Sequence, residues 1–164
     1  LGGLIVIVFG YLIWPSARRP DLRGRLLRAT SALADYVRSA GQSPTGPATK
    51  VTARHAAIVA DRRTAYAALA DAHMQLQREL GEAPPACTIA AEWIPAISAF
   101  ERVTDGVGAY ALARAEGRDA RGEEEIAAIV RDVAELAEFG EPEATRRAAL
   151  SLYERITAPQ RAAV

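Results

Sequence analysis

The sequence predicts an all-α protein in two parts: residues 1–15, the C-terminal part of a truncated transmembrane helix, and residues 16–164, an antiparallel bundle of about five helices. Three observations predict it. Aromatics are only 6% of a chain that is 50% hydrophobic, so alanine and leucine supply the apolar surface, and both favour helices. Apolar residues recur at alternating steps of three and four, the spacing of one helix face. Breaks rich in glycine and proline separate those stretches.

The first element is the uncharged run from Leu1 to Trp14, closed by Pro15 and followed by Arg18 and Arg19. A membrane span needs roughly 20 apolar residues, so this run is read as the cut end of a longer helix. A signal peptide carries its positive charge before the apolar stretch, whereas here the arginines follow it. Tyr11 and Trp14 stand where interfacial aromatics belong, and Arg18, Arg19, Arg23, Arg25 and Arg28 satisfy the positive-inside rule for a chain leaving the inner membrane into the cytoplasm. Those arginines are expected to meet anionic head groups or to form a solvated helix face. A buried helix of a soluble domain is the other reading of so short a run.

The next helix starts at Pro20 and Asp21, both suited to a first turn, and runs to about Ala40. Leu22, Leu26, Ala29, Leu33, Tyr36 and Ala40 form its apolar stripe. Two prolines and two glycines between Gly41 and Pro47 interrupt the pattern. A long helix follows, from about Thr49 or Val51 to Leu80, with His55, Ile58, Arg62, Ala65, Leu69, Ala72 and Leu76 on one stripe. Gly81 and Pro84-Pro85 stop it. The fourth stripe comprises Ile89, Trp93, Ile97, Phe100, Val103, Val107 and Tyr110, with Pro95 expected in the first turns of its helix. Gly117 to Gly122 is a polar break. Glu123 to Glu125 open a fifth helix at the positive end of its dipole, with Ile126, Ile129, Val130, Val133 and Leu136 inward and Gly140 as its end. Pro142 opens the last helix, which carries Leu150, Leu152, Tyr153 and Ile156 and is expected to close at Pro159.

Composition excludes several functions. Twenty basic and twenty acidic residues balance, which leaves no basic excess for displacing counterions from nucleic acid. Cys87 is the only cysteine, so there is neither an intrachain disulfide nor a thiolate metal cluster. No phosphate loop, nucleophile elbow, zinc spacing or Ser/His/Asp pattern occurs; neither an enzyme nor a cofactor is expected. His55 and His73 share a helix face but stand roughly 27 Å apart at 1.5 Å per residue, so they cannot share a metal and are expected to pack. Glu101 and Asp105, at i and i+4, share a face. They are expected to pair with Arg62 or Arg63 of the preceding helix, or Asp105 with Arg102. A proton or cation held between the two acids is the functional alternative. Trp93 is expected as a core anchor.

The segments Gly10-Tyr-Leu-Ile-Trp-Pro15, Asp61-Arg-Arg-Thr-Ala-Tyr-Ala-Ala-Leu69, Glu92-Trp-Ile-Pro95 and Phe100-Glu-Arg-Val-Thr-Asp105 together resemble the fusaric acid resistance family of membrane transporters. The likeness covers about Leu1 to Ala115. It implies an inner-membrane efflux transporter for aromatic carboxylic acids, driven by the proton gradient, of which this chain holds the cytoplasmic helical domain. The role implied for that domain is structural, assembly or gating, with the bilayer, the rest of the transporter and a second copy of the chain as partners. The transporter's substrate-binding residues lie outside the sequence, and none is carried over. The alternative is a membrane-tethered helical module for protein interaction or signalling.

Overall fold

A computed structural model describes residues 22–42, 48–119, 121–136, 138 and 140–161. The membrane stub expected over residues 1–15, and with it Tyr11, Trp14, Arg18 and Arg19, lies outside the described residues. These residues form five helices: α1 (Leu22–Gly41), α2 (Ala48–Leu80), α3 (Ala86–Ala115), α4 (Glu123–Glu135) and α5 (Pro142–Arg161). None of them is long and apolar enough to cross a membrane.

Helix α1 is central. All six residues of its predicted stripe are buried, joined by Thr30, Ala34, Val37 and Gly41, a face wide enough to touch α2, α3 and α4. Around it the helices close a ring in the order α1, α2, α3, α5, α4, with α1 also reaching α3 across the middle. Successive helices alternate in direction. Arg25 of α1 pairs with Asp71 late in α2, Tyr66 of α2 bonds Asp105 of α3, and Asp132 of α4 pairs with Arg155 of α5. In the ring, however, α3 and α5 are neighbours with the same direction, so the bundle is antiparallel in chain order and parallel at that seam, as it also is where α1 reaches α3. Gly106 permits the seam: a Cβ there would sit 3.1 Å from the Tyr153 ring.

The alternation defines two poles. One gathers the start of α1, the α2–α3 turn, the end of α4 and the start of α5. The other gathers the end of α1, the end of α3, the start of α4 and the end of α5. The core between them holds Leu26, Leu33, Tyr36, Leu76, Ile97, Phe100, Val103, Val107, Ile129, Val133, Leu152 and Ile156. Trp93 is half-buried and packs against this cluster.

Several boundaries differ from expectation for local reasons. The α3 helix begins directly after Pro85, so Pro95 falls in its third turn, and the helix continues through it. Helix α4 stops at Glu135, short of Gly140, whose φ of +71° instead shapes the approach to α5. Helix α5 runs past Pro159 to Arg161. Ile89 belongs to the α3 stripe by spacing yet is 56% exposed, because the stripe is wider than the contact surface at that end. The end of α3 matches the Schellman pattern. Arg118 N donates to Ala113 O at 2.8 Å, Gly117 N donates to Arg114 O at 3.1 Å, and Gly117 takes φ +71°.

Candidate functional site

The acids singled out by the sequence, Glu101 and Asp105, both reach the groove between α2 and α3. There Tyr66, Leu69, Ala70, His73 and Met74 of α2 face them across a cavity of about 500 Å³. The Tyr66 hydroxyl donates to Asp105 Oδ1 at 3.1 Å, and His73 Nδ1 stands 3.3 Å from Glu101 Oε1. The second histidine nitrogen, Nε2, lies 3.4 Å from Gln77 Nε2. Partial burial raises the Tyr66 phenol above its usual pKa, and the hydrogen bond and charge of Asp105 push it further in the same direction.

Arg62 and Arg63 lie on the same helix as Tyr66, but among the described residues no ion pair joins them to Glu101 or Asp105. Arg62 instead lies over the Tyr66 ring, 5.6 Å from its centre, and Arg63 is exposed. The reason is register: an antiparallel neighbour places the shorter Tyr66 and His73 opposite the acids and the arginines nearer the following turn. Arg102 points outward and is exposed. Both histidines are exposed too, contrary to the packing role expected of them, because the α2 stripe narrows to Ala65, Leu69, Ala72 and Leu76 where it meets the core. With His73 and Glu101 each 46% exposed, the pair contributes under about 1 kcal/mol. Chemically, the groove offers two carboxylates, each facing a side chain of α2 that can donate a hydrogen bond. No group of three His, Cys, Asp or Glu side chains able to hold a metal ion occurs among the described residues.

A second cluster was not marked by the sequence. The Schellman turn at Gly117 carries the chain back over the end of α3, which places Asp119 and Arg121 inside the protein, their side chains 1% and 4% exposed. Asp119 Oδ2 faces Arg121 Nη2 at 3.1 Å, while Asp119 Oδ1 accepts the Arg121 backbone N–H at 3.1 Å. Arg121 Nη2 also donates to Ile156 O of α5 at 2.6 Å, and its guanidinium lies 5.1 Å from the centre of the Tyr110 ring. Arg114 completes the knot. Its Nε donates to Gly41 O at 2.9 Å and its Nη1 to Arg121 O at 2.9 Å, so the ends of α1 and α3 and the approach to α4 are bound to one guanidinium. Burial raises the Tyr110 phenol above its usual pKa, and its hydroxyl has no partner among the described residues. The available signal was Arg114 in the last turn of α3, followed by Arg118-Asp-Ala-Arg121 between two glycines. A polar break of that composition reads as a surface loop.

Of the predicted membrane-facing residues Arg23, Arg25 and Arg28 are described, and Arg23 is exposed. Arg25 is held by Asp71, and Arg28 is exposed beside Leu27. In comparisons with protein-family models, curated proteins and solved structures, the chain matches none.

Proposed function

We propose that this chain is the cytoplasmic helical domain of an inner-membrane exporter resembling the fusaric acid resistance family, and that the pole where α1 begins rests against the bilayer. The observation that carries this reading is the placement of exposed apolar side chains. Leu27, Met74, Ile89, Ile94 and Leu112 are the large hydrophobics left exposed among the described residues. The first four lie within about 12 Å of the α1-start pole, counted at 1.5 Å per helical residue; only Leu112 lies toward the other. Apolar side chains gathered on one end, beside the outward Arg23 and Arg28, suit an interface that offers both acyl chains and anionic head groups. Glu82 and Glu92 are exposed at the same end, so attraction there depends on apolar contact and on the arginines of α1 rather than on a net positive pole.

The order of the segments supports the family reading: an apolar run ending in Trp14-Pro15, an arginine-rich first helix, then the Asp61 to Leu69 and Glu92 to Asp105 stretches. The domain's task in this reading is structural, holding or gating the transport helices from the cytoplasmic side. The membrane contact is tested by single cysteines at Ile89, Ile94 and Leu112 in the complete protein with Cys87 replaced by serine. Fluorophores at the first two positions should be quenched by spin-labelled lipid and the third should not; equal quenching at all three removes the docked pole. The transport assignment is tested separately. Cells lacking the complete protein should accumulate an aromatic carboxylate such as hydroxybenzoate, and unchanged accumulation counts against it. The upstream sequence separates this reading from a tethered interaction module, since a start codon within about twenty residues leaves room for a single anchor only.

A further inference from the structure

The 500 Å³ cavity between α2 and α3 is lined by two acids and, among the described residues, by neither arginine nor lysine. Both acids face donors that bring no charge. The Tyr66 phenol donates to Asp105. Gln77 Nε2 can only donate and stands 3.4 Å from His73 Nε2, which makes that ring nitrogen the acceptor and leaves the proton on Nδ1, 3.3 Å from Glu101 Oε1. These partners assign the neutral tautomer, so the lining carries two negative charges and no positive one. Arg62 does not supply the balance: its guanidinium covers the Tyr66 ring and is not part of the lining. The rest of the wall is apolar, formed by Leu69, Ala70 and Met74, with Met74 52% exposed.

We propose that this groove binds a linear aliphatic polyamine, with one ammonium group on each carboxylate and the methylenes between them against the apolar wall. Two ammonium groups follow from the charge count, and the acids have room for them: an ionised carboxylate has about four acceptor positions, of which a neutral donor from α2 takes one. The spacing follows from the helix. Residues at i and i+4 stand about 5–6 Å apart at their Cβ atoms, a gap that a four-carbon spacer bridges. The methylenes suit Leu69, Ala70 and Met74, just as the stem of a lysine lies along apolar surface while its head stays polar. A bare divalent cation fits less well, since it takes about six or more oxygen ligands and no three ligating side chains converge among the described residues. A quaternary ammonium recognised by an aromatic face finds the Tyr66 face already covered by Arg62. The volume lies within the range of roughly 300–1,000 Å³ usual for small-molecule sites. The site rests on neither the docked pole nor the transport assignment.

Met74 is the only methionine of the sequence, so labelling the full chain with [methyl-13C]methionine gives the groove its own NMR signal. The labelled chain, in nonionic detergent at constant ionic strength, is titrated with three probes: 1,4-diaminobutane, butylamine and magnesium ion. The diamine should move the Met74 signal saturably and bind at least about threefold more tightly than either other probe, since one exposed ammonium–carboxylate contact is worth up to about fivefold. Glu101→Gln and Asp105→Asn, which keep size and an acceptor oxygen, should each weaken the diamine by about two- to fivefold and bring it level with butylamine. Ala70→Phe should abolish the shift by filling the groove. Melting curves show whether each variant is folded; if Ala70→Phe is not, the carboxylate variants decide. The proposal is overturned if butylamine or magnesium binds as tightly as the diamine, if the carboxylate variants leave its affinity unchanged, or if no probe moves the signal saturably.

Discussion

Replacing Asp119 by asparagine removes one charge from the buried knot and almost no volume. The asparagine carbonyl still accepts the Arg121 backbone N–H that Asp119 Oδ1 accepts at 3.1 Å, so the turn keeps its shape. What is lost is the counter-charge 3.1 Å from a guanidinium that is only 4% exposed. The nearest remaining acid is Glu125, 3.7 Å from Arg121 Nε and 55% exposed, where solvent weakens its field. Removing one partner of a buried pair costs about 3–5 kcal/mol, and the retained backbone bond puts Asp119→Asn near the lower end, at about 3 kcal/mol. For a chain of this size that corresponds to a fall in Tm of roughly 6–12 °C. Urea unfolding with unchanged m-value is the assay. Adding Arg121→Met to the same chain removes the stranded cation and lays an apolar side chain along the Tyr110 ring, so the double variant should be more stable than the sum of the single losses by over about 1 kcal/mol. A single-variant loss below about 1 kcal/mol, or strict additivity in the cycle, would show that the knot is not coupled as described.

Gly41→Ala should destabilise by about 1–3 kcal/mol: its Cβ would stand 2.5 Å from Ile126 Cγ2, a contact relieved by a strained Ile126 rotamer or by moving α1 away from α4, and a wild-type denaturation midpoint would refute this. Gly106→Ala meets the Tyr153 ring at 3.1 Å, a milder contact offset by roughly 1 kcal/mol of helix propensity, so its midpoint should shift less than that of Gly41→Ala. Burial raises the phenols of Tyr36 and Tyr110 in the folded protein. The folded state therefore holds their protons more tightly than the unfolded state, and stability is full below pH of about 10 and declines as pH rises past it. Absorbance titration should show these two phenols ionising after free tyrosine, and a stability that rises between pH 10 and 11 contradicts the sign. His73→Ala should change stability by under about 1 kcal/mol, measured by urea unfolding; a larger loss would mean the pair with Glu101 is better shielded than its exposure indicates.

The helices were legible because their signals are local. The α1 stripe from Leu22 to Ala40 needs no knowledge of its neighbours, and every one of its six predicted positions is buried. The boundaries set by single glycines or prolines were less secure. Pro95 and Pro159 both sit inside helices, because one missing donor does not by itself end a helix. The groove between α2 and α3 was half legible: i,i+4 spacing brings Glu101 and Asp105 together, but their partners depend on the register of another helix, which spacing along one chain does not specify. The knot was hidden for the opposite reason. Asp119 and Arg121 carry the composition of a solvated loop, and only the left-handed turn at Gly117 folds them inward.

Five helices alternating in direction also have a mechanical consequence. Leu22 and Arg161 stand at opposite poles, and twenty residues of helix separate the poles by about 30 Å. Tension applied between those two points runs along the helix axes. It must slide α1 past α2, α3 and α4 together instead of peeling one helix away turn by turn, so the side-chain contacts along α1 resist it in parallel. A bundle with an even number of alternating helices would place both points at one pole and open like a zip under the same load.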